Sequence, residues 1–475
     1  FSGVATSYTW TNNNTSIGLA AIGSGNIGSF AGVNPGAAPQ VATITVTPVY
    51  GSCTGAPDVF TITVNHTPIV ADPVDQVVCN GGTVSAINFS GTGTSYTWTN
   101  DTPSIGLLAS GSGGIASFIA NNLTSSPVVA TITVTPVYTN GTTCLGSVQT
   151  FTITVNPTAT VNDPADQIVC NGGSVSAITF SGSGATSYVW SNDTPGIGLP
   201  SGGSGNIALF TAINTGTSPV IATLTVTPFN GSCVGTAQTF TITVNHTPVV
   251  TDPLDQTVCN GAITTAIVFS GTGTSYTWVN NNTSIGLGGS GNGDIASFTA
   301  VNTGVVAVVA TITVTPIYTS GATCSGSVQT FTITVNPTPM VTDPLDQVVC
   351  NGGVTTAVNF SGTGTSYDWT NDTPSIGLAA SGTGDIGSFT ATNVTGSPVV
   401  ATITVTPVYT SGSTCTGSVQ IFTITVNPTP TVVATTDQEI CNGSATTAIN
   451  FSGVATSYTW TNNNTSIGLA AIGSG

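Results

Sequence analysis

Apolar and polar residues alternate along this chain in runs of strand length. The clearest are Thr311-Ile312-Thr313-Val314-Thr315 and Phe331-Thr332-Ile333-Thr334-Val335, where apolar side chains fall on one face and threonines on the other. That period of two predicts a half-buried antiparallel hairpin with a neutral, hydroxylated outer face. Ala266-Ile267-Val268-Phe269, Ser275-Tyr276-Thr277-Trp278 and Asp294 to Ala300 precede it, and a short extended segment near Val249 and Val250 opens the set. Gly, Asn and Pro clusters separate these pieces, and none carries a helical period. The prediction is an all-β, seven-strand sandwich closed by the hairpin of Val309 to Tyr318 and Gln329 to Val335.

The same pattern returns along the whole chain. Val-Cys-Asn-Gly marks it at Cys79, Cys170, Cys259 and Cys350, and Ile-Cys-Asn-Gly at Cys441, with offsets of 91, 89, 91 and 91 residues. A period that long is one small domain copied in tandem. The expected units are a partial repeat 1–66, whole repeats 67–157, 158–246, 247–337 and 338–428, and a partial repeat 429–475. One tryptophan recurs in the third piece of every copy (Trp10, Trp98, Trp190, Trp278, Trp369, Trp460). A lone tryptophan there is the expected core plug of an immunoglobulin-like sandwich. The linkers Asn156-Pro157-Thr158, Asn245-His246-Thr247, Asn336-Pro337-Thr338 and Asn427-Pro428-Thr429 are short. Proline restricts most of them, so the expectation is an extended, semi-rigid rod. Residues 1–25 and 451–475 are identical, and the chain reads as a stretch of a longer array.

Composition narrows the function. There is no lysine or arginine among 475 residues, against 17 acidic residues and two histidines. Nucleic acid is excluded as a partner, because nothing neutralises phosphates, and an anionic membrane would repel the chain. Schiff-base chemistry, arginine clamps and lysine–asparagine crosslinks are impossible. At 39% hydrophobic residues each repeat has enough apolar side chain for a core. No run reaches the roughly 18 apolar residues of a membrane span, so direct insertion is not expected.

The order Cys-Asn-Gly, Phe-Ser-Gly-Thr-Gly-Thr-Ser-Tyr-Thr-Trp, Ser-Ile-Gly-Leu and Ala-Thr-Ile-Thr-Val-Thr-Pro covers the whole chain. It resembles the PKD-like, immunoglobulin-like repeats of giant Bacteroidetes surface proteins, including the adhesins of gliding flavobacteria. The resemblance implies a secreted cell-surface filament that carries adhesion or gliding motility.

The ten cysteines fall two per period, the second series being Cys53, Cys144, Cys233, Cys324 and Cys415. Regular cysteines in a chain of exported character predict disulfides. Pairing inside each repeat gives Cys79–Cys144, Cys170–Cys233, Cys259–Cys324 and Cys350–Cys415, leaving Cys53 and Cys441 to partners outside the chain. Pairing across each linker, Cys53–Cys79 and onward, uses all ten. The first is favoured because an isolated domain then oxidises itself as it folds. Against it, the two loops concerned lie at opposite ends of a standard sandwich.

Asp-Pro-x-Asp recurs after the linkers as Asp72/Asp75, Asp163/Asp166, Asp252/Asp255 and Asp343/Asp346. These pairs are candidate Ca²⁺ ligands at the junctions, although two carboxylates are few for a cation that takes six to eight ligands, and an Asp-Pro turn capped by the second aspartate is the simpler reading. No other cofactor is expected. Asp101, Asp193 and Asp372 lie in Asn-Asp-Thr-Pro loops that become Asn-Asn-Asn-Thr at Asn14 and Asn282, which reads as a polar loop. His66 and His246 replace the linker proline, far from any recurring nucleophile, so no catalytic site is expected and the chain is read as no enzyme. The sequons at Asn88 and Asn122 read as sheet composition, and the threonine ladders fit strand propensity better than ice binding. The expected role is a structural stalk or filament segment of an extracellular surface adhesin. Its partners would be external surfaces or glycans, with self-association into filaments or bundles. The competing reading is a glycan- or surface-binding module acting through the loops of each repeat.

Overall fold

The computed structural model describes residues 1–475, which form tandem immunoglobulin-like β-sandwiches. They fall into two compact units, Phe1–His246 and Thr247–Gly475. In the first unit, residues 76–156 show the plan. A long strand, Val128–Asn140, pairs antiparallel with the return strand Gln149–Asn156 on one side. On its other side it pairs with the tryptophan strand Ser95–Asn100. A three-residue edge, Ser110–Ser112, extends the sheet beyond the tryptophan strand. An opening strand, Gln76–Cys79, lies parallel to the return strand. Alternation builds this layer: Ile132, Val134, Phe151 and Ile153 are buried, while Thr133 faces Thr99 and Thr150 on the outer side.

The second layer is more ragged than the sequence predicts. Thr83–Val84 pairs with Phe118–Ile119, and Ile87 bridges Ile115. In the second unit Ile267 bridges Ile295 and Val250 bridges Gly271, where longer strands were expected. Val268 stays 73% exposed between buried Ile267 and Phe269, so the segment is extended and alternating. Its ladder is interrupted, and the layer is closed by side-chain packing more than by continuous pairing.

Trp98, Trp190, Trp278 and Trp369 are buried in four such cores, and Trp10 in that of residues 1–66. Each ring lies on a glycine of the edge strand. A Cβ built on Gly111 would come 2.1 Å from Cζ2 of Trp98, and one on Gly291 2.3 Å from Cζ2 of Trp278. Trp460, read as a core residue, is only half-buried. Within 429–475 the regular pairing is limited to Thr459–Thr461 with Ile472–Ser474, and no long hairpin packs over that ring.

Candidate functional site: the junctions between sandwiches

The Cys-Asn-Gly motif closes the opening strand, and each of its residues has a structural task. Cys79 stands opposite Asn156, the last residue of the return strand. Asn80 accepts a hydrogen bond from the Asn122 N–H and donates Nδ2 to Thr158 Oγ1 of the linker at 2.9 Å. Asn260 reaches Thr338 in the same way at 2.9 Å, and Asn351 reaches Thr429 at 2.8 Å. Gly81 turns the chain at φ +76°, a conformation glycine adopts without strain. The motif thus fixes the pole of one sandwich to the linker that starts the next.

The opposite pole carries the hairpin tip. Cys144 lies on Thr142–Leu145, opposite Tyr138 of the long strand. Asn65, just before the linker, donates to the carbonyls of Asn140 and Thr142 at 3.0 and 3.4 Å. Asn336 grips the carbonyls of Ser411 and Ser413 at 2.9 and 3.1 Å. His66, in place of a linker proline, is buried with its ring 4.2 Å from that of Tyr138 and Nε2 3.0 Å from the Thr92 carbonyl.

This polarity overturns the favoured disulfide pairing. Val128 pairs with Val155 beside the opening-strand pole, whereas Tyr138 pairs with Cys144 at the other. Ten strand residues (138 − 128) at about 3.3 Å each put the two cysteines of one sandwich roughly 30 Å apart. A disulfide needs Cα atoms within about 7 Å. None of Cys79–Cys144, Cys170–Cys233, Cys259–Cys324 and Cys350–Cys415 forms. Cys79 is instead bonded to Cys233 on the hairpin of the following sandwich, with Cα atoms 5.5 Å apart. Cys259 is bonded to Cys415 in the same manner, at 5.6 Å. The cross-linker alternative fails as well, because Cys79 has no bond to Cys53. Cys170 and Cys324 are also in disulfides, while Cys53, Cys144, Cys350 and Cys441 carry free thiols. Two hairpin lengths deliver the bonded cysteine: five residues separate Pro228 from Cys233, and eight separate Pro407 from Cys415.

The aspartates act on the backbone. The Thr152 N–H donates to Asp75 Oδ1 at 2.6 Å, and Thr241, Thr332 and Thr423 donate to Asp166, Asp255 and Asp346 at the same distance. Each carboxylate completes the return-strand ladder one residue before the opening strand begins to pair with it. These N–H donors hold Asp75 and Asp166 below the usual carboxylate range. The first aspartates rim open grooves: Asp343 with Pro344 and Leu345 one of about 400 Å³, Asp252 another of about 400 Å³, and Asp72 one of about 310 Å³. Nowhere do three or more His, Cys, Asp or Glu side chains gather as a metal cluster would require.

Asp101, Asp193 and Asp372 accept from the N–H groups of Thr131, Thr223 and Thr402 at 2.8 Å. Their counterparts are Asn13 and Asn281, one place before the asparagines the sequence suggested, with bonds of 2.7 and 2.8 Å to Thr43 and Thr311. Asn14 and Asn282 instead cap a short 3-10 turn through the Ser16 and Ser284 N–H groups. Asn122 is buried and spends its Nδ2 on the carbonyls of Ser126 and Val155.

The fold and its junctions define a tandem immunoglobulin-like β-sandwich protein. No protein-family model matches the chain, and no curated protein matches it by sequence. Similar solved structures include the Protocadherin Gamma B7 extracellular cadherin domains 1–4, at TM-score 0.31 and 10% identity, covering 74% of this chain and all of that one (100%). Mouse Cadherin-23 EC22-24 aligns at TM-score 0.29 and 12% identity over 57% of this chain and 100% of its own. Sidekick-1 immunoglobulin domains 1–5 align at 0.23 and 11% over 89% and 92%. At such scores the likeness carries no argument about activity.

Proposed function

We propose that this chain is a structural stalk or filament segment of a giant secreted bacterial surface adhesin, built from the repeats 67–157, 158–246, 247–337 and 338–428. The observation that carries this reading is the bonding of one sandwich to the next through Cys79–Cys233 and Cys259–Cys415. Regular disulfides belong to oxidising, extracellular compartments, and a staple at a junction serves a protein that must hold its length. A chain without one cation stays soluble by self-repulsion. Gliding motility enters only through the resemblance of the repeats to those adhesins. Calcium at Asp72, Asp163, Asp252 and Asp343 would add stiffness to the same junctions, and isothermal titration with CaCl₂ tests it.

The reading is tested by antibodies to the purified chain applied to intact cells of the source organism. Gold label on filaments outside the envelope supports it; labelling only after permeabilisation overturns it. A glycan array probed with the same chain separates a passive stalk, which stays dark, from a glycan-binding module, which lights up reproducibly.

A further inference from the structure

We propose that the disulfides between sandwiches form a covalent load path that bypasses the tryptophan strands and the long strands of the folded cores. Cys79–Cys233 closes a loop of 154 residues, and Cys259–Cys415 one of 156. Along the backbone, Cys79 and Cys415 are 336 residues apart (415 − 79). Through the two disulfides the separation falls to the 26 residues from Cys233 to Cys259 (259 − 233).

Those 26 residues contain the return strand Gln238–Asn245 and the opening strand Gln256–Cys259, both already extended. Much of each core lies inside the closed loops, while Phe240, Ile242 and Val244 of the return strand and Val250 after it lie on the 26-residue segment itself. Trp98 and Trp190 fall between Cys79 and Cys233, and Trp278 and Trp369 between Cys259 and Cys415. So do the long strands Val128–Asn140 and Val308–Ser320.

The polarity of each sandwich makes the shortcut work. The opening strand ends at Cys259, opposite Asn336, where the return strand also leaves for the next sandwich. In a reduced chain, tension between the ends shears this four-residue parallel pair and then opens the core behind it. In the oxidised chain, tension arriving at Cys259 passes straight to Cys415. The tryptophan strand and long hairpin carry none of it. This goes beyond the stalk reading: the load path belongs to the covalent chain, and a failure to find the protein on cell surfaces would leave it untouched.

The test is single-molecule stretching of the full 475-residue chain, held at its termini, before and after reduction. The oxidised chain is expected to reach full extension short of the reduced one by 310 residues (336 − 26), roughly 1,000 Å. Equal contour lengths would overturn the proposal. So would a shortfall in units of 65 residues (144 − 79), the mark of bridges closed inside single sandwiches. Cys259→Ser supplies a second arm that needs no reductant. It is expected to lengthen the oxidised contour while leaving Cys79–Cys233 in place, and an unchanged contour would count against the shortcut.

Discussion

Gly291 and Trp278 show how closely single residues fit their places. The edge-strand glycine lies on the indole, and a Cβ there would fall 2.3 Å from Cζ2. Gly291→Ala is expected to cost about 1–3 kcal/mol through overpacking, and Trp278→Ala about 3–5 kcal/mol through the cavity it leaves. Denaturant melts of a 247–475 fragment followed by tryptophan fluorescence would read Gly291→Ala, and far-UV circular dichroism would read Trp278→Ala. At the acidic positions the sign of the pH effect follows from the hydrogen bonds. Asp75, Asp101, Asp166, Asp193 and Asp372 are held below 3.8 by backbone N–H donors. Their folded pKa values are depressed, so their contribution is present above 3.8 and lost as pH falls through the lower folded values. Thermal melts between pH 7 and pH 2 should drop only in that acid range. Asn13 and Asn281 make the same bond with an amide oxygen. Asp101→Asn is therefore expected to leave the melting temperature at neutral pH nearly unchanged and to reduce the acid loss.

At the scale of elements, the long hairpin is legible in the sequence because its alternation runs for many residues with a buried face. Val308–Ser320 and Gln329–Asn336 lie within a residue or two of where the pattern puts them. The opening strand Gln256–Cys259 is not legible: four residues, Gln-Thr-Val-Cys, carry too little period to stand out from the turn that follows. That the two cysteine loops lie at opposite ends of a sandwich is legible, and it speaks against joining them; the hairpin of the following sandwich as the partner of Cys259 is not. A domain that oxidises itself as it folds makes Cys259 and Cys324 look like natural partners, whereas register places them beside opposite ends of one hairpin. The value of the junction asparagine was equally hidden, because Asn336 reads as the polar residue before a proline. Its Nδ2 holds the carbonyls of Ser411 and Ser413. Asn336→Ala should cost about 0.5–1.5 kcal/mol for each bond lost, because water reaches the exposed hairpin tip. Faster amide exchange at the Ser411–Ser413 tip, with the Trp278 core unchanged, is the pattern to expect.

At the scale of the whole molecule, the Cys-Asn-Gly recurrence that reveals the repeat also marks residues that bind copies to their neighbours, through Cys79 and Cys259 and through Asn80, Asn260 and Asn351. A disulfide spanning two sandwiches changes the energetics of both. Closing 154 residues restricts the unfolded chain by about 5 kcal/mol on the chain-entropy estimate, more than a loop of about 65 residues inside one domain would. It also couples the two sandwiches, since neither can unfold without the other remaining tethered. Reduction is therefore expected to lower the melting temperature and split one broad cooperative transition into less coupled ones. Calorimetry with and without reductant checks both effects, and an unchanged profile would mean that the bridges add nothing to the sandwiches they join. The linkage itself is checked by non-reducing peptide mapping with chymotrypsin, since a chain without lysine or arginine offers trypsin no site. Peptides joining Cys79 to Cys233 and Cys259 to Cys415 are expected. A Cys79–Cys144 peptide would require the two poles of one sandwich to meet, which the strand register forbids.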